Sequence, residues 1–445
     1  MPMNQTLFGR AKRRMRQGLR TAFSWLPDGL RHAIYRSFVE INPAPEAGLV
    51  FKIARTQQDL EACFKLLHDA YVGEGFMKPD PSGMRATLYH ALPTTTTLCA
   101  TINGEVVGTV SLIRESLMGF PLQAIFDLTD VRALGGQLAE VSALAVHPRF
   151  RATGGTILFP LMKFMYQYCT TYFDTRHLVI AVHPNRIDLY ESLLFFKRLS
   201  ENSTEKYDFA NGAPAVGAVL DLVACEKTMK RYYGNKSLRR NLYHFFVKLK
   251  LDNFELPPRR YHTTNDPVMT PALLDYFFNQ RTRRFAALDD REKMLVHAIY
   301  DLPAYQSVLP SISELPNEQT RLRQHQRYSV KCPGSFKVFA TGESEAYPLL
   351  VVDLSQQDFL AQSSAMLPVK TWGQVAIELG PNEHSVIKAT AVRSRESDHH
   401  HFYYAFTLIE PDLTWRKFVN ALIHGDTDEE LTHSTRFLID GKADA

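Results

Sequence analysis

The sequence predicts two folded units of different class in one chain: a mixed α/β domain with a helical extension, then a small all-β barrel. Three observations predict this. Strand-like runs alternate with helix-period runs between about residues 48 and 225; helical spacing dominates residues 226–315; and short, evenly spaced strand-like runs occupy residues 318–425. At 445 residues the chain exceeds one ordinary core, so two or three domains are expected. Hydrophobic content of 45% with 22% charged residues fits a soluble globular protein, and no apolar run is long enough to cross a bilayer. The net charge of +4 is too small to argue for nucleic acid. Five cysteines stand without pairing or metal-ligand spacing, so no metal is expected and a reducing cytoplasm is.

Residues 1–45 form a basic amphipathic leader. Its first 26 residues hold six basic side chains and no acidic one, with Phe8, Ala11, Met15, Leu19, Phe23 and Leu26 at helical spacing. Such a helix either lies on a membrane surface or docks on the protein's own surface. After Pro43-Ala44-Pro45, Leu49 to Ile53 reads as a strand and Asp59 to Tyr71 as a helix. Thr97 to Thr101 and Val106 to Ile113 form a hairpin around Asn103-Gly104, a strong two-residue turn signal. A strand over Gln137 to Val146 follows. Then come a helix from Thr156 to Tyr172, a strand from His177 to Val182, a helix from Asp188 to Leu199 and a closing strand from Val216 to Val223. Pro310 to Thr320 reads as a linker. Beyond it, Tyr328 to Phe339, Tyr347 to Asp353, Gly373 to Leu379, Ile387 to Arg393 and Phe402 to Ile409 read as strands, closed by a helix over Trp415 to Ile423. Asp398-His399-His400-His401 reads as a hairpin tip rather than a metal site, and residues 426–445 as a tail.

The sharpest chemical motif runs from Glu140 through Val146 and Arg151 to Gly154, Gly155 and Thr156. A strand feeds an Arg/Gly loop that opens a helix. Unpaired N–H groups and the helix dipole at such a turn can cradle a pyrophosphate. In the second unit, Arg323 and Arg327 sit four apart in a flexible lead-in, where two guanidinium forks could close on phosphate or a guanine edge. Asp353 and Ser355 add acceptor and hydroxyl groups at a strand end. A solvated basic linker is the alternative reading of the arginines.

Arg151-x-x-Gly154-x-Thr156 is similar to the Arg/Gln-x-x-Gly-x-Gly/Ala turn of GNAT acyltransferases. Together with His183 to Tyr190, Leu193 to Phe196 and Asn211 to Val216, it resembles the long-chain N-acyl amino acid synthases, a GNAT branch related to acyl-homoserine lactone synthases. The resemblance spans about residues 48–310. It implies transfer of a fatty acyl group from an acyl carrier protein or coenzyme A thioester to the amine of an amino acid. By that resemblance, Val146, Arg151, Gly154, Gly155 and Thr156 would hold the pantetheine phosphate and thioester oxygen. Glu140 would take a proton from the amine, or else serve as a buried partner for an arginine. Tyr190 would protonate the departing sulfur, or else be a core tyrosine. Phe159, Phe164, Tyr166, Phe195 and Phe196 either line an acyl tunnel or form plain core. Ala143 stands where the family often has arginine.

Arg323-x-x-x-Arg327 with Asp353-x-Ser355 resembles the PilZ domain, a six-stranded barrel that binds cyclic di-GMP; here Asp358 stands where that family has glycine. The combined expectation is a cytoplasmic acyltransferase modulated by cyclic di-GMP, with residues 1–26 as its candidate contact with the inner membrane. The rival expectation is a non-catalytic cyclic di-GMP receptor whose acyltransferase fold binds a partner.

Overall fold

The computed structural model describes residues 27–44, 46–151, 155–173, 175–200, 204–207, 211–263, 269–300, 303–312, 328–339, 346–396 and 402–424. Residues 1–26 of the leader, Gly154, Arg323, Arg327, the histidine run and the tail lie outside the described residues.

The first unit is built on one sheet containing β1 (Leu49–Ile53), β2 (Thr95–Ile102), β3 (Glu105–Arg114), β4 (Gln137–Val146), β5 (Thr175–Val182), β6 (Lys197–Arg198), β7 (Thr204–Tyr207) and β8 (Ala213–Asp221). Its order is β1-β2-β3-β4-β5-β8-β6, with β7 also paired to β8. The β4–β5 pair is parallel and the other pairs are antiparallel. The β2–β3 turn is the expected one: Asn103 and Gly104 both have positive φ, 51° and 86°, which matches the right-handed twist of the flanking strands. β2 is buried along nearly its whole length, as a strand covered on both faces must be.

One face carries α1 (Asp28–Ser37) at its periphery, then α3 (Leu158–Phe173), α4 (Pro184–Leu194) and α5 (Leu222–Tyr233) around a core that includes Phe51, Phe164, Tyr168 and Phe246. The other face is covered by α2 (Gln57–Glu74) and by the helical extension, through Phe64, Cys99, Leu274, Phe277 and Phe278. α2 starts at Thr56, whose hydroxyl accepts from the Asp59 N–H, and stops at Gly75 with φ 79°. α4 begins four residues before its expected start and ends at Leu194 rather than Leu199. His183 caps it by accepting from the Asn185 N–H, Pro184 opens it, and Phe195 turns left-handed at φ 63° and stops it. Of the residues expected to continue the helix, Lys197 and Arg198 instead form β6. The extension holds α6 (Asp290–Ile299), closed at its start by a capping box between Asp289 and Glu292, and π-helical turns over Asp275–Arg281; a further π turn spans His244–Lys248.

The second unit is a closed barrel of β9 (Tyr328–Val338), β10 (Ala346–Leu354), β11 (Asp358–Ser363), β12 (Thr371–Gly380), β13 (Glu383–Glu396) and β14 (Phe402–Glu410), in the order β10-β11-β14-β13-β12-β9. Closure leaves no free sheet edge. α7 (Leu413–His424) seals it with Trp415, Phe418 and Val419, all buried. β11 is the one barrel strand absent from the sequence reading, although its burial alternates residue by residue.

An irregular strap, residues 253–263, joins the two units. The Phe51 N–H donates to the Asn253 carbonyl at 2.9 Å and the Glu255 N–H to the Phe51 carbonyl at 2.8 Å, so the strap extends the edge at β1. Six residues after Glu255, Tyr261 is buried in the barrel core, its ring 4.7 Å from Phe418. The His262 N–H donates to the Leu379 carbonyl at 2.8 Å. Gly380 lies so close to the Arg260 carbonyl that a Cβ would strike it. Gly380→Ala is therefore expected to force the strap off the barrel and to cost about 1–3 kcal/mol, measured as a fall in the urea midpoint.

Candidate functional site

The parallel register of β4 on β5 runs from Gln137 to Glu140 and stops at Glu140 opposite Val179. β4 continues to Val146 and β5 to Val182, so the two strands part and the sheet opens into a cleft. The parting is aided on the other side of β4. There the β3–β4 register shifts between Thr109 and Ser111, and Ala143 takes a left-handed φ of 53°. That is a bulge, which bends a strand and redirects its backbone groups. A cavity of about 690 Å³ fills the opening. It lies within the range of small-molecule sites, and its walls are mostly apolar. Val141 to Val146 and Ile180 to Val182 form its throat. Tyr71, Glu74, Phe76, Arg151, His183, Asn185 and Arg186 border its polar end. Met162, Met165, Tyr166, Cys225, Met229 and Phe246 form the far wall between α3, α5 and the π turn at His244–Lys248.

Glu140 sits where the strands part and lines the cavity. It is 2% exposed. Its Oε2 accepts from the Leu122 N–H at 3.0 Å. Burial pushes its carboxyl up to about 8, against the opposing hydrogen bonds from Leu122 and Ser142. Among the described residues no cation pairs with it, so the role of arginine partner is not met there. Tyr190 also lines the cavity, half-buried, with its ring edge-on to Phe196 at 5.8 Å. Burial raises its phenol above the usual value while the Arg186 charge pulls the other way, so it keeps its proton.

The loop residues divide. Val146 and Arg151 lie on the cavity, where the Arg151 Nε donates to the Val146 carbonyl at 2.9 Å and its Nη1 lies 3.8 Å from Glu74. Gly155 and Thr156 border a separate small recess with Asn42, Phe159 and Asn253. Gly155 has φ 84°, and a Cβ there would meet the Phe159 ring at 2.5 Å. Glycine is required at that turn because Phe159 packs beneath it. Of the five candidate tunnel aromatics, Tyr166 and Phe196 line the cavity. Phe164 is fully buried core, Phe195 stacks on Tyr232 at 5.4 Å, and Phe159 faces the recess.

The sequence reading missed Met162, Met165, Cys225 and Met229. Their signal is the helical spacing of flexible, polarisable side chains on two helices that face one another, which becomes a cavity wall only once the helices are packed. It also missed Lys163, whose side chain is fully buried. The Lys163 Nζ donates to the Phe246 carbonyl at 3.0 Å, and burial pulls its ammonium down to about 8.

In the barrel, Asp353 lies at the end of β10 and Ser355 opens the turn that leads to β11. Ser355 is buried. Its hydroxyl donates to the Asp358 carboxylate at 2.9 Å and accepts from the N–H groups of Gln357 and Asp358 at 3.2 and 3.1 Å. The Ser355 N–H donates to the Asp358 carbonyl at 2.8 Å. Asp358 thus closes a tight turn over the serine, and its φ is not left-handed, so glycine's backbone freedom is not needed there.

Residues 62–221 match the family model described as N-acyl amino acid synthase FeeM, and this segment contains the whole β4–β5 opening, Glu140 and Tyr190. Solved structures similar to parts of the chain include FeeM, an N-acyl amino acid synthase from uncultured soil microbes, at 23% identity. That match covers 40% of this chain and 93% of that one, with a TM-score of 0.35. BjaI, a coenzyme A-dependent acyl-homoserine lactone synthase solved with SAM and isopentyl-CoA, is 19% identical. It covers 43% of this chain and 92% of that one at TM-score 0.33. The acyl-homoserine lactone synthase LasI is 16% identical, over 39% of this chain and 90% of that one, at TM-score 0.31. No protein with a curated description matches the chain. Among the described residues, no helix is long and apolar enough to cross a membrane, and no cluster of side chains could hold a metal ion.

Because the folded carboxyl at Glu140 titrates far above an unfolded glutamate, its contribution to stability is fully present below about pH 4.5 and is lost as pH rises through about 8. Glu140→Gln removes the ionisable group while keeping an acceptor for Leu122. The expected outcome is a gain of on the order of 2 kcal/mol over wild type at pH 9 and little gain at pH 5, read from urea melts at the two pH values.

Proposed function

We propose that this chain transfers a long-chain acyl group from the thioester of acyl carrier protein, or of coenzyme A, to the amine of an amino acid. The observation that carries this reading is an apolar cavity whose throat holds a buried carboxyl with a raised proton affinity. The family match over residues 62–221 supports the same chemistry. The acyl chain would lie along Met162, Met165, Met229 and Phe246, with its thioester at the throat beside Val146 and Ala143. There the bulged backbone would turn an N–H near Val146 toward the developing oxyanion. Arg151 would meet the pantetheine phosphate, together with Gly154, Gly155 and Thr156 at the head of α3. Glu140, once deprotonated, would take a proton from the amine as its nitrogen bonds to the acyl carbon. The carbon–sulfur bond then breaks, and the phenol of Tyr190 would give its proton to the thiolate. An amide and a free thiol result.

The barrel would bind cyclic di-GMP through Arg323, Arg327, Asp353 and Ser355, and so adjust the acyltransferase from the cytoplasmic side, with residues 1–26 touching the inner membrane. The boundaries that go with this reading are 48–225, 226–315 and 318–425. The alternative, a cyclic di-GMP receptor with a silent acyltransferase fold, is favoured by the separation of Gly155 and Thr156 from the cavity.

Mass spectrometry of lipids from cells overproducing the chain is expected to show a new N-acylated amino acid. Glu140→Gln should lower kcat/KM by about 10²–10⁴-fold, and wild-type kcat/KM should rise with pH through about 8, because the base acts only without its proton. Neither product nor pH limb would leave only the receptor reading.

The Ser355–Asp358 turn predicts how the barrel responds. In calorimetry of the full chain, cyclic di-GMP is expected to bind Asp358→Gly more tightly than wild type by about tenfold or more. The substitution removes a carboxylate from the ligand's phosphates and frees the Ser355 hydroxyl. Equal affinities would remove Asp358 from the nucleotide's surroundings.

A further inference from the structure

The wall of the acyl cavity is physically continuous with the barrel. α3 presents Met162, Met165 and Tyr166 to the cavity. Within two turns, the same helix presents Tyr168, Tyr172 and Phe173 to the strap. The Arg259 Nη2 donates to the Tyr168 hydroxyl at 2.6 Å, and the guanidinium lies 4.9 Å from the Tyr172 ring centre and 5.8 Å from that of Phe173. The Tyr172 hydroxyl in turn donates to the Pro257 carbonyl at 3.0 Å.

The next three residues belong to the barrel. Arg260 makes two hydrogen bonds to the Glu383 carboxylate, at 2.7 and 3.1 Å. Tyr261 fills a place in the barrel core against α7. His262 accepts from the Lys331 N–H at 3.2 Å while its own N–H is held by Leu379. One short segment is thus gripped by the barrel on one side and by α3 on the other, with no flexible spacer between the two grips.

We infer that Arg259 is a positioning residue that ties α3 to the barrel, so that the barrel's placement sets how long an acyl chain the cavity accepts. The physical ground is that α3 is a single helix of 16 residues. A packed helix shifts as a body rather than bending between neighbouring turns, so a displacement at Tyr168 carries Met165 and Met162 with it. The charged hydrogen bond and the ring stacking make Arg259 the strongest link in this contact. This inference rests on the acyltransferase reading for its substrate. The geometry of the link does not depend on that reading.

The test uses the full chain with octanoyl and hexadecanoyl thioesters of acyl carrier protein and compares the ratio of their kcat/KM values. Arg259→Met keeps the aliphatic bulk but loses the charge and the bond. Tyr168→Phe loses the same bond from the other partner. Each is expected to shift the ratio by about threefold or more. The double variant is expected to shift it no further than the larger single change, since both remove one interaction. Arg259→Lys, which can still donate to Tyr168, is expected to restore part of the wild-type ratio.

An unchanged ratio in Arg259→Met overturns the proposal, as does a double variant equal to the sum of the singles, because a merely stabilising contact would lower both rates alike. If the wild type transfers no acyl group, the proposed activity fails. The ratio of calorimetric affinities for the two thioesters on the same variants then decides the positioning role. In that case an unchanged affinity ratio, or no binding to the wild type, overturns it.

Discussion

Everything in the first unit depends on one failure of strand pairing. β4 and β5 keep their parallel register as far as Glu140 and Val179 and then diverge, although both strands continue. Backbone groups left without a ladder partner must find another, and in this fold the divergence is also where apolar walls leave room for a ligand. The bulge at Ala143 helps keep the opening in place, because a strand with an extra residue on one side cannot lie flat against its other neighbour. α2 and the helical extension pack on one face, and α3 with α5 on the other. The gap therefore cannot close by collapse from either side.

Two ionisable side chains are buried around this opening, and they lean in opposite directions. Glu140 is pushed toward its neutral acid and Lys163 toward its neutral amine, in each case because a charge is costly where little water reaches. Each keeps one strong backbone partner, Leu122 for the acid and Phe246 for the amine. The amine's partner belongs to the π turn that also supplies the far wall of the cavity. At that end, Phe246 supplies both a polar anchor and part of the apolar lining.

Much of this was legible in the chain. Gln137 to Val146 reads as a strand and is one, residue for residue, because a mostly apolar run lies between the turn-forming Gly135-Gly136 and His147-Pro148. Asn103-Gly104 fixes its hairpin by local chemistry alone. Glu140 stands out as an acid inside an apolar run. The parts not legible depend on packing. Spacing alone does not reveal that Phe159 packs beneath Gly155, nor that Gly155 and Thr156 border a small recess of their own. The start of α4 is set by a histidine cap, a weaker sequence signal than Ser, Thr or Asp. β11 has the alternation of a strand, but it is short and follows its neighbour after a three-residue turn. The strap has no periodicity at all. It falls within the 226–315 stretch read as helical, and only its neighbours reveal two grips.

The position of Tyr261 in the chain has a consequence for how such a protein can be divided. The barrel borrows one of its core aromatics from a segment inside the helical extension, well before its own first strand. Cutting the gene between the extension and β9 would release six strands and a helix with an aromatic-sized void beside Phe418, and void formation in a core costs several kcal/mol. The two units are interlocked in sequence as well as in space. Transplanting the barrel onto another enzyme would require carrying residues 259–263 along, as a staple inserted upstream of the module it completes.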